Sequence, residues 1–153
     1  MKVQIEPLKK RGQSVSKIES LSNQYCKDLD YCFYQGEALS EFDFEEYFYI
    51  IRSIPYVKDT KPIEIIARPF IIWAFREYGA DCKKRCIMVL AYCKLKNIDT
   101  RIVTSSRRKD KREHHIFPQV FISGQWINAD CTYPEYFLGQ PKIFTGVTLW
   151  THN

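Results

Sequence analysis

The chain has 153 residues, 45% hydrophobic and 27% charged, with 23 Lys and Arg against 18 Asp and Glu and a net charge of +5. That size and balance predict one folded core and exclude a mainly disordered or collagen-like chain, the latter also because there are only 6 Gly and 7 Pro. The apolar run Pro69 to Phe75 falls far short of the roughly 20 residues of a membrane span, and a pI near 8.8 lies below the value of about 9 at which a domain begins to read as a nucleic-acid binder.

Residues 1–40 read as an N-terminal extension, with a charged stretch at Lys9-Lys10-Arg11-Gly12 and one modest helix over Ser14 to Asp30. A core is expected over residues 41–140. Phe42, Phe44, Tyr47, Phe48, Ile51 and Ile54 recur at helical spacing, acids occupy the first turn, and Pro55 stops the pattern. Pro62 and Pro69 bracket a short segment. A second helix is predicted from Pro69 to Tyr78, with proline at its first position and Gly79 as C-cap.

Asp81 suits the N-cap of a third helix, Cys82 to about Lys96, with Cys82, Cys86, Val89, Leu90 and Cys93 on one face and Asn97 as its left-handed end. Ile98 to Thr104 reads as a strand and Ser105 to Glu113 as a polar loop. His115 to Ile122 and Gln125 to Cys131 read as strands joined by a two-residue turn, Ser123-Gly124. Residues 141–153 read as a C-terminal tail. Helices first and strands after predict an α+β domain.

If Ile122 and Gln125 flank the turn, alternation puts His115, Phe117, Gln119, Phe121, Trp126, Asn128 and Asp130 on one face. The other face, Ile116, Pro118, Val120, Ile122, Ile127, Ala129 and Cys131, is almost wholly apolar. A one-residue slip would mix the two sets. This register brings His115 and Asp130 diagonally across two strands, close enough for a carboxylate to orient an imidazole. Cys82 is the available nucleophile, because it follows the N-cap, where unsatisfied N–H groups stabilise a thiolate. Lys83, Lys84 and Arg85 oppose the helix dipole but favour the same anion.

The ordered series Tyr78-Gly79-Ala80-Asp81-Cys82, then His115-Ile116-Phe117-Pro118-Gln119-Val120, then Trp126-Ile127-Asn128-Ala129-Asp130-Cys131-Thr132 resembles the transglutaminase-like superfamily. In that family Gly-Asp-Cys opens a helix, a His opens a strand and an Asp ends the next strand. Ile54-Pro55-Tyr56 followed by Asp59 is similar to the segment that often precedes the Cys motif in small members. The resemblance covers about Glu41 to Pro134. It implies a papain-like α+β fold in which the nucleophile helix packs on a small antiparallel sheet, and a Cys-His-Asp triad. Carried over by position, Cys82 is nucleophile, His115 base and Asp130 orienter. Ala80 stands where the family usually has Gly, Lys83-Lys84 where residues are often acidic, and Cys131 where Pro is frequent.

The expected chemistry is thiol-dependent acyl transfer on amide bonds of a protein or peptide substrate, with water or an amine as acceptor. Hydrolysis is preferred, because a chain of this length lacks the extra domains of large cross-linking enzymes. The backbone N–H of Cys82 is the first oxyanion donor, the second is unassigned, and Phe117 and Trp126 are candidate substrate contacts. No cofactor is expected. Zinc held by Cys82-x₃-Cys86 with His114 or His115 is disfavoured, since adjacent strand histidines diverge. His114 reads as a surface residue, and Cys26, Cys32, Cys86 and Cys93 as structural thiols. The basic run Arg107 to Arg112 has no interleaved aromatics for base stacking, so it reads as a solvated rim that favours acidic substrates. The opening Met1 to Pro7 lacks the apolar stretch of a secretory signal, which predicts a cytoplasmic protein with reduced thiols. The competing reading is a non-catalytic interaction module that keeps the fold and docks through Lys9–Arg11 and Arg107–Arg112. Oligomeric state is not legible in the sequence.

Overall fold

The computed structural model describes residues 4–6, 11–58 and 64–151. In chain order they form β1 (Gln4–Glu6), α1 (Arg11–Gln24), β2 (Phe33–Tyr34), β3 (Glu37–Ala38), α2 (Phe44–Arg52), β4 (Glu64–Ile66), α3 (Pro69–Ala74), α4 (Cys82–Leu95), β5 (Thr100–Ser106), β6 (His115–Ile122), β7 (Gln125–Asn128) and β8 (Gly146–Thr151). Tight 3₁₀ turns occupy Cys26–Tyr31, Leu39–Glu41 and Arg76–Tyr78. Lys9, Lys10, Asp59 and Pro62, singled out in the sequence, lie outside the described residues.

The fold is α+β. Its main sheet is antiparallel, in the order β7-β6-β5-β8, with β1-β4 and β2-β3 as small separate pairs. The β6–β7 hairpin has the expected register, Ile122 opposite Gln125. Ser123 and Gly124 both take positive φ, 53° and 77°, as a two-residue turn that follows the twist of its strands requires. Ile116, Val120, Ala129 and Cys131 accordingly face the core.

The helices start where short acidic side chains can accept orphan N–H groups. Asp43 accepts from Glu46 N at 2.8 Å, and Asp81 accepts from Lys84 N at 3.0 Å. The carboxylate that serves α3 comes from far away in the chain. Asp28 accepts from Phe70 N at 3.0 Å and from Arg68 Nε at 2.8 Å.

Several expectations shift. The helix predicted to Tyr78 breaks after Ala74 into a 3₁₀ turn that ends at Gly79, whose φ of 86° suits glycine. A Cβ there would also lie 2.4 Å from Val57 Cγ2 and 2.8 Å from Pro55 O. The strand predicted from Ile98 begins instead at Thr100. Asn97 takes φ 57°, Ile98 N donates to Cys93 O at 2.8 Å and Asn97 N to Lys94 O at 3.4 Å, so Ile98 completes a Schellman cap on α4. β7 stops at Asn128 rather than Cys131, although Ala129 N still donates to Pro118 O at 3.0 Å.

α4 also differs from the expected one-sided helix, since every side chain from Arg85 to Cys93 is buried. It is the central element, with α1, α2 and α3 packed around it and β6 closing the remaining side. Residues read as an extension and a tail contribute to this same core, α1 against α4 and β8 paired along β5. No helix among the described residues is long and apolar enough to cross a membrane.

The least expected core residue is Arg85, 1% exposed. Its guanidinium donates to the carbonyls of Ile51 at 2.9 Å, Cys131 at 3.1 Å and Ala80 at 3.2 Å, and to that of Ile54. Burial pushes its basicity down, while nearby anionic groups and the C-terminal dipole of α2 favour the cation. Arg85→Met, which keeps the volume and removes the donors, is expected to destabilise the fold by about 3–5 kcal/mol, because the buried carbonyls it joins lose a shared donor. Urea denaturation measures this, and a loss below about 1 kcal/mol would show that water replaces the guanidinium.

Candidate active site

Cys82 opens α4, and the chain that leads into it is fixed on both sides. Ala80 N donates to Pro55 O at 2.9 Å, and Tyr56 and Ala80 form an isolated parallel bridge. Asp81 caps the helix and pairs with Lys83 Nζ at 3.3 Å. Cys82 is itself partly buried.

His115 opens β6 directly opposite Ser105 of β5. Its Nε2–H donates to Asp130 Oδ2 at 2.7 Å, with the two side chains 19% and 3% exposed. Since Nε2 is committed to the carboxylate, Nδ1 is the nitrogen left to act on Cys82, whose side chain is among the groups acting on the imidazole. The structure thus joins His115 to Asp130 directly, with Cys82 close enough to act on the same imidazole.

The electrostatics follow from those contacts. Burial pushes the imidazole down, but hydrogen bonds to Asp130 and Cys82 and the charges of both outweigh it and raise His115 from 6.5 to about 9. Burial raises Asp130, but the hydrogen bond and charge of His115, and then Lys142, bring it down to about 2. Thr132 holds the second oxygen, since both its N–H, at 3.1 Å, and its hydroxyl donate to Asp130 Oδ1. Lys142 Nζ donates to Oδ2 at 2.8 Å.

The other thiols differ in environment. Cys86 and Cys93 are raised by burial. Burial also pushes Cys32 and Cys131 up to about 12, helped at Cys32 by the charge of Asp28 and opposed at Cys131 by Arg85. Cys26 is the remaining partly buried thiol.

Of the two expected substrate contacts, Phe117 is corrected and Trp126 lies exposed but far along the sheet from His115. Phe117 is 1% exposed, sandwiched between the His115 ring at 5.8 Å and the Phe144 ring at 6.1 Å, so it supports the imidazole from beneath and presents no surface. Trp126 pairs with Phe121, six residues along β6 from His115, or about 20 Å at strand rise, and Arg101 covers its ring at 4.4 Å. Between these two positions a polar chain crosses the sheet. Arg101 Nε donates to Gln119 Oε1 at 2.6 Å, Gln119 Nε2 to Asn128 Oδ1 at 2.7 Å, and Asn128 Nδ2 to Gln140 O at 2.8 Å.

Sequence reasoning missed Thr132, Tyr56, Tyr136 and Lys142. Thr132, two residues after Asp130, carries a readable signal, because an Asp commonly accepts from the backbone two residues on. Tyr56 lies near Cys82 and packs at a tilt against Tyr133, ring centroids 5.0 Å apart. Burial raises its hydroxyl pKa, and the charge of Cys82 adds to the rise. Neither Tyr136 nor Lys142 has a local signal. Arg107 to Arg112 are exposed in the loop that links β5 to β6, at the His115 end of the sheet. Among the described residues no group of three or more His, Cys, Asp or Glu side chains is placed to hold a metal ion.

No protein-family model and no curated protein matches this chain. A solved structure similar to it is that of a proposed cysteine protease from Cytophaga hutchinsonii, with TM-score 0.45 and 15% identity over 94% of this chain and 53% of that one. This chain thus spans about half the length of that protein. A likeness at that level does not fix a family or a reaction.

The His115–Asp130 pair makes stability depend on pH in two windows. Asp130, lowered from 3.8 to about 2, contributes stability above its unfolded value that is lost as pH falls toward 2. His115, raised from 6.5 to about 9, contributes stability below 6.5 that is lost as pH rises through 9. Urea midpoints are therefore expected to be flat between about pH 4 and 6.5 and to fall on both sides. In His115→Ala the fall centred between 6.5 and 9 should shrink, and an undiminished alkaline fall would assign it to another group.

Proposed function

We propose that this protein is a thiol-dependent acyl-transfer enzyme acting on amide bonds of proteins or peptides, with Cys82 as nucleophile, His115 as base and acid, and Asp130 as orienter. The observation that carries this reading is an imidazole bonded to a buried carboxylate and acted on by a partly buried thiol at a helix start. The motif order that resembles the transglutaminase-like superfamily points the same way. So does the contrast between a partly buried Cys82 and four thiols sealed in the core.

In this mechanism His115 Nδ1 takes the Cys82 proton and the sulfur attacks the amide carbonyl. The oxyanion forms beside the Cys82 N–H, which at the first helical position has no partner within α4. The imidazolium then gives its proton to the leaving nitrogen, the C–N bond breaks, and a thioester remains. Water or an amine attacks that thioester, its proton passes to His115, and the thiol is restored. Asp130 keeps Nε2 protonated, so that Nδ1 is the nitrogen exchanging protons.

Iodoacetamide labelling followed by peptide mass spectrometry tests the nucleophile. Cys82 is expected to label fastest, Cys26 second, and Cys32, Cys86, Cys93 and Cys131 only on unfolding. Incubation with a mixed peptide pool and an acid quench should trap an acyl adduct on Cys82 that is absent from Cys82→Ala. Asp130→Asn should lower turnover of any peptide so identified by about a hundredfold or more. Cys82 labelling no faster than Cys26, with no adduct, would leave the fold serving as an interaction module.

A further inference from the structure

The Lys142 side chain is 2% exposed although the residue lies in a segment with little other burial. Its ammonium sits 4.1 Å from the Tyr136 ring centroid and 5.0 Å from that of Phe117, and donates to Asp130 Oδ2 at 2.8 Å. The same oxygen accepts from His115 Nε2 at 2.7 Å. A lysine buried this deeply loses water and rotamer freedom, so a role limited to filling space would be served better by an apolar side chain. The two aromatic faces and the carboxylate stand in for the lost hydration.

We propose that Lys142 is a positioning residue that holds Asp130 between His115 and Thr132 and limits how far the carboxylate stabilises the imidazolium. This rests on the role given above to His115. Two cationic donors on one oxygen compete for its charge, so the ammonium behind Asp130 weakens the hold of the carboxylate on the proton of His115. An imidazolium that holds its proton less tightly returns it more readily to a leaving nitrogen.

The groups acting on the ring can be named by element. Cys82 faces it from the start of α4 and Asp130 from the segment just after β7. Lys142 and Tyr136 stand behind Asp130, and Arg107, from the β5–β6 loop, acts on Tyr136. Asp130 remains ionised across the working range, because it is held down at about 2. Loss of Lys142 therefore changes the charge seen by His115 without neutralising the carboxylate.

The test is an NMR titration of ¹³C-labelled histidine in the full chain, with the His115 resonance assigned by its absence from His115→Ala. The wild-type midpoint is expected at about 9. In Lys142→Met it should rise by roughly one unit. In Lys142→Arg, which restores a cation, it should stay within about half a unit of wild type. If Lys142→Met does not fold, Lys142→Gln, a neutral donor, is titrated instead with the same expectation. An unchanged or lowered midpoint in the neutral variant overturns the proposal. An equal rise in Lys142→Arg also overturns it, because packing rather than charge would then be the cause. The titration requires no substrate. Failure of Cys82 labelling or acyl trapping would remove the enzyme reading and leave the Lys142 result standing, whereas a flat titration with intact labelling removes only this inference.

Discussion

One buried guanidinium connects the fold to the candidate site. Arg85, three residues into α4 from Cys82, donates to Ala80, to Cys131 and to the carbonyl end of α2. Ala80 lies two residues before the thiol, and Cys131 immediately follows the carboxylate. A single planar side chain in the interior thus ties the segment before Cys82 to the segment after Asp130. A bare cation there would be untenable, and carbonyl dipoles with their lone pairs make it tolerable without a carboxylate partner. Those carbonyls also belong to segments that leave regular structure, where backbone acceptors have lone pairs to spare for a side chain.

The same accounting organises Asp130. Both of its oxygens are occupied, one by Thr132 and the other by His115 and Lys142. A carboxylate with this many donors has one orientation, and the imidazole bonded to it has one tautomer. The loop after β7 is held in place by contacts outside the charged cluster. Arg52 donates to Tyr136 O at 2.9 Å, Gly139 N to Asn128 O at 2.8 Å, and Tyr133 packs edge-on against Tyr136 at 5.2 Å. The sheet thus has two tasks. Its apolar face closes on α4, and its other face carries His115 over a stacked aromatic floor of Phe117 and Phe144.

The sequence determined those features in which neighbours along the chain decide the outcome. The Ser123-Gly124 turn, its register and the resulting division of the hairpin into an apolar and a polar face follow from a two-residue period and from the φ values that turn demands. Asp81 as cap and Cys82 as first helical residue follow from the unsatisfied N–H groups of a helix start. His115 and Asp130 on one face follow from alternation.

What the tertiary structure decided are the contacts between residues with no pattern in common. α4 reads locally as a one-sided helix with a basic first turn, yet three helices and a sheet enclose it and turn Arg85 inward. Phe117 shares a face with His115 by alternation, but the segment carrying Lys142 and Phe144 covers it, and about 20 Å of strand separates Trp126 from His115. Lys142 meets Asp130 only because β8 returns to pair with β5 and draws the preceding residues across the site. Chain periodicity encodes which way a side chain points. It does not encode what will be packed opposite, because that depends on long-range closure, whose partners lie tens of residues apart.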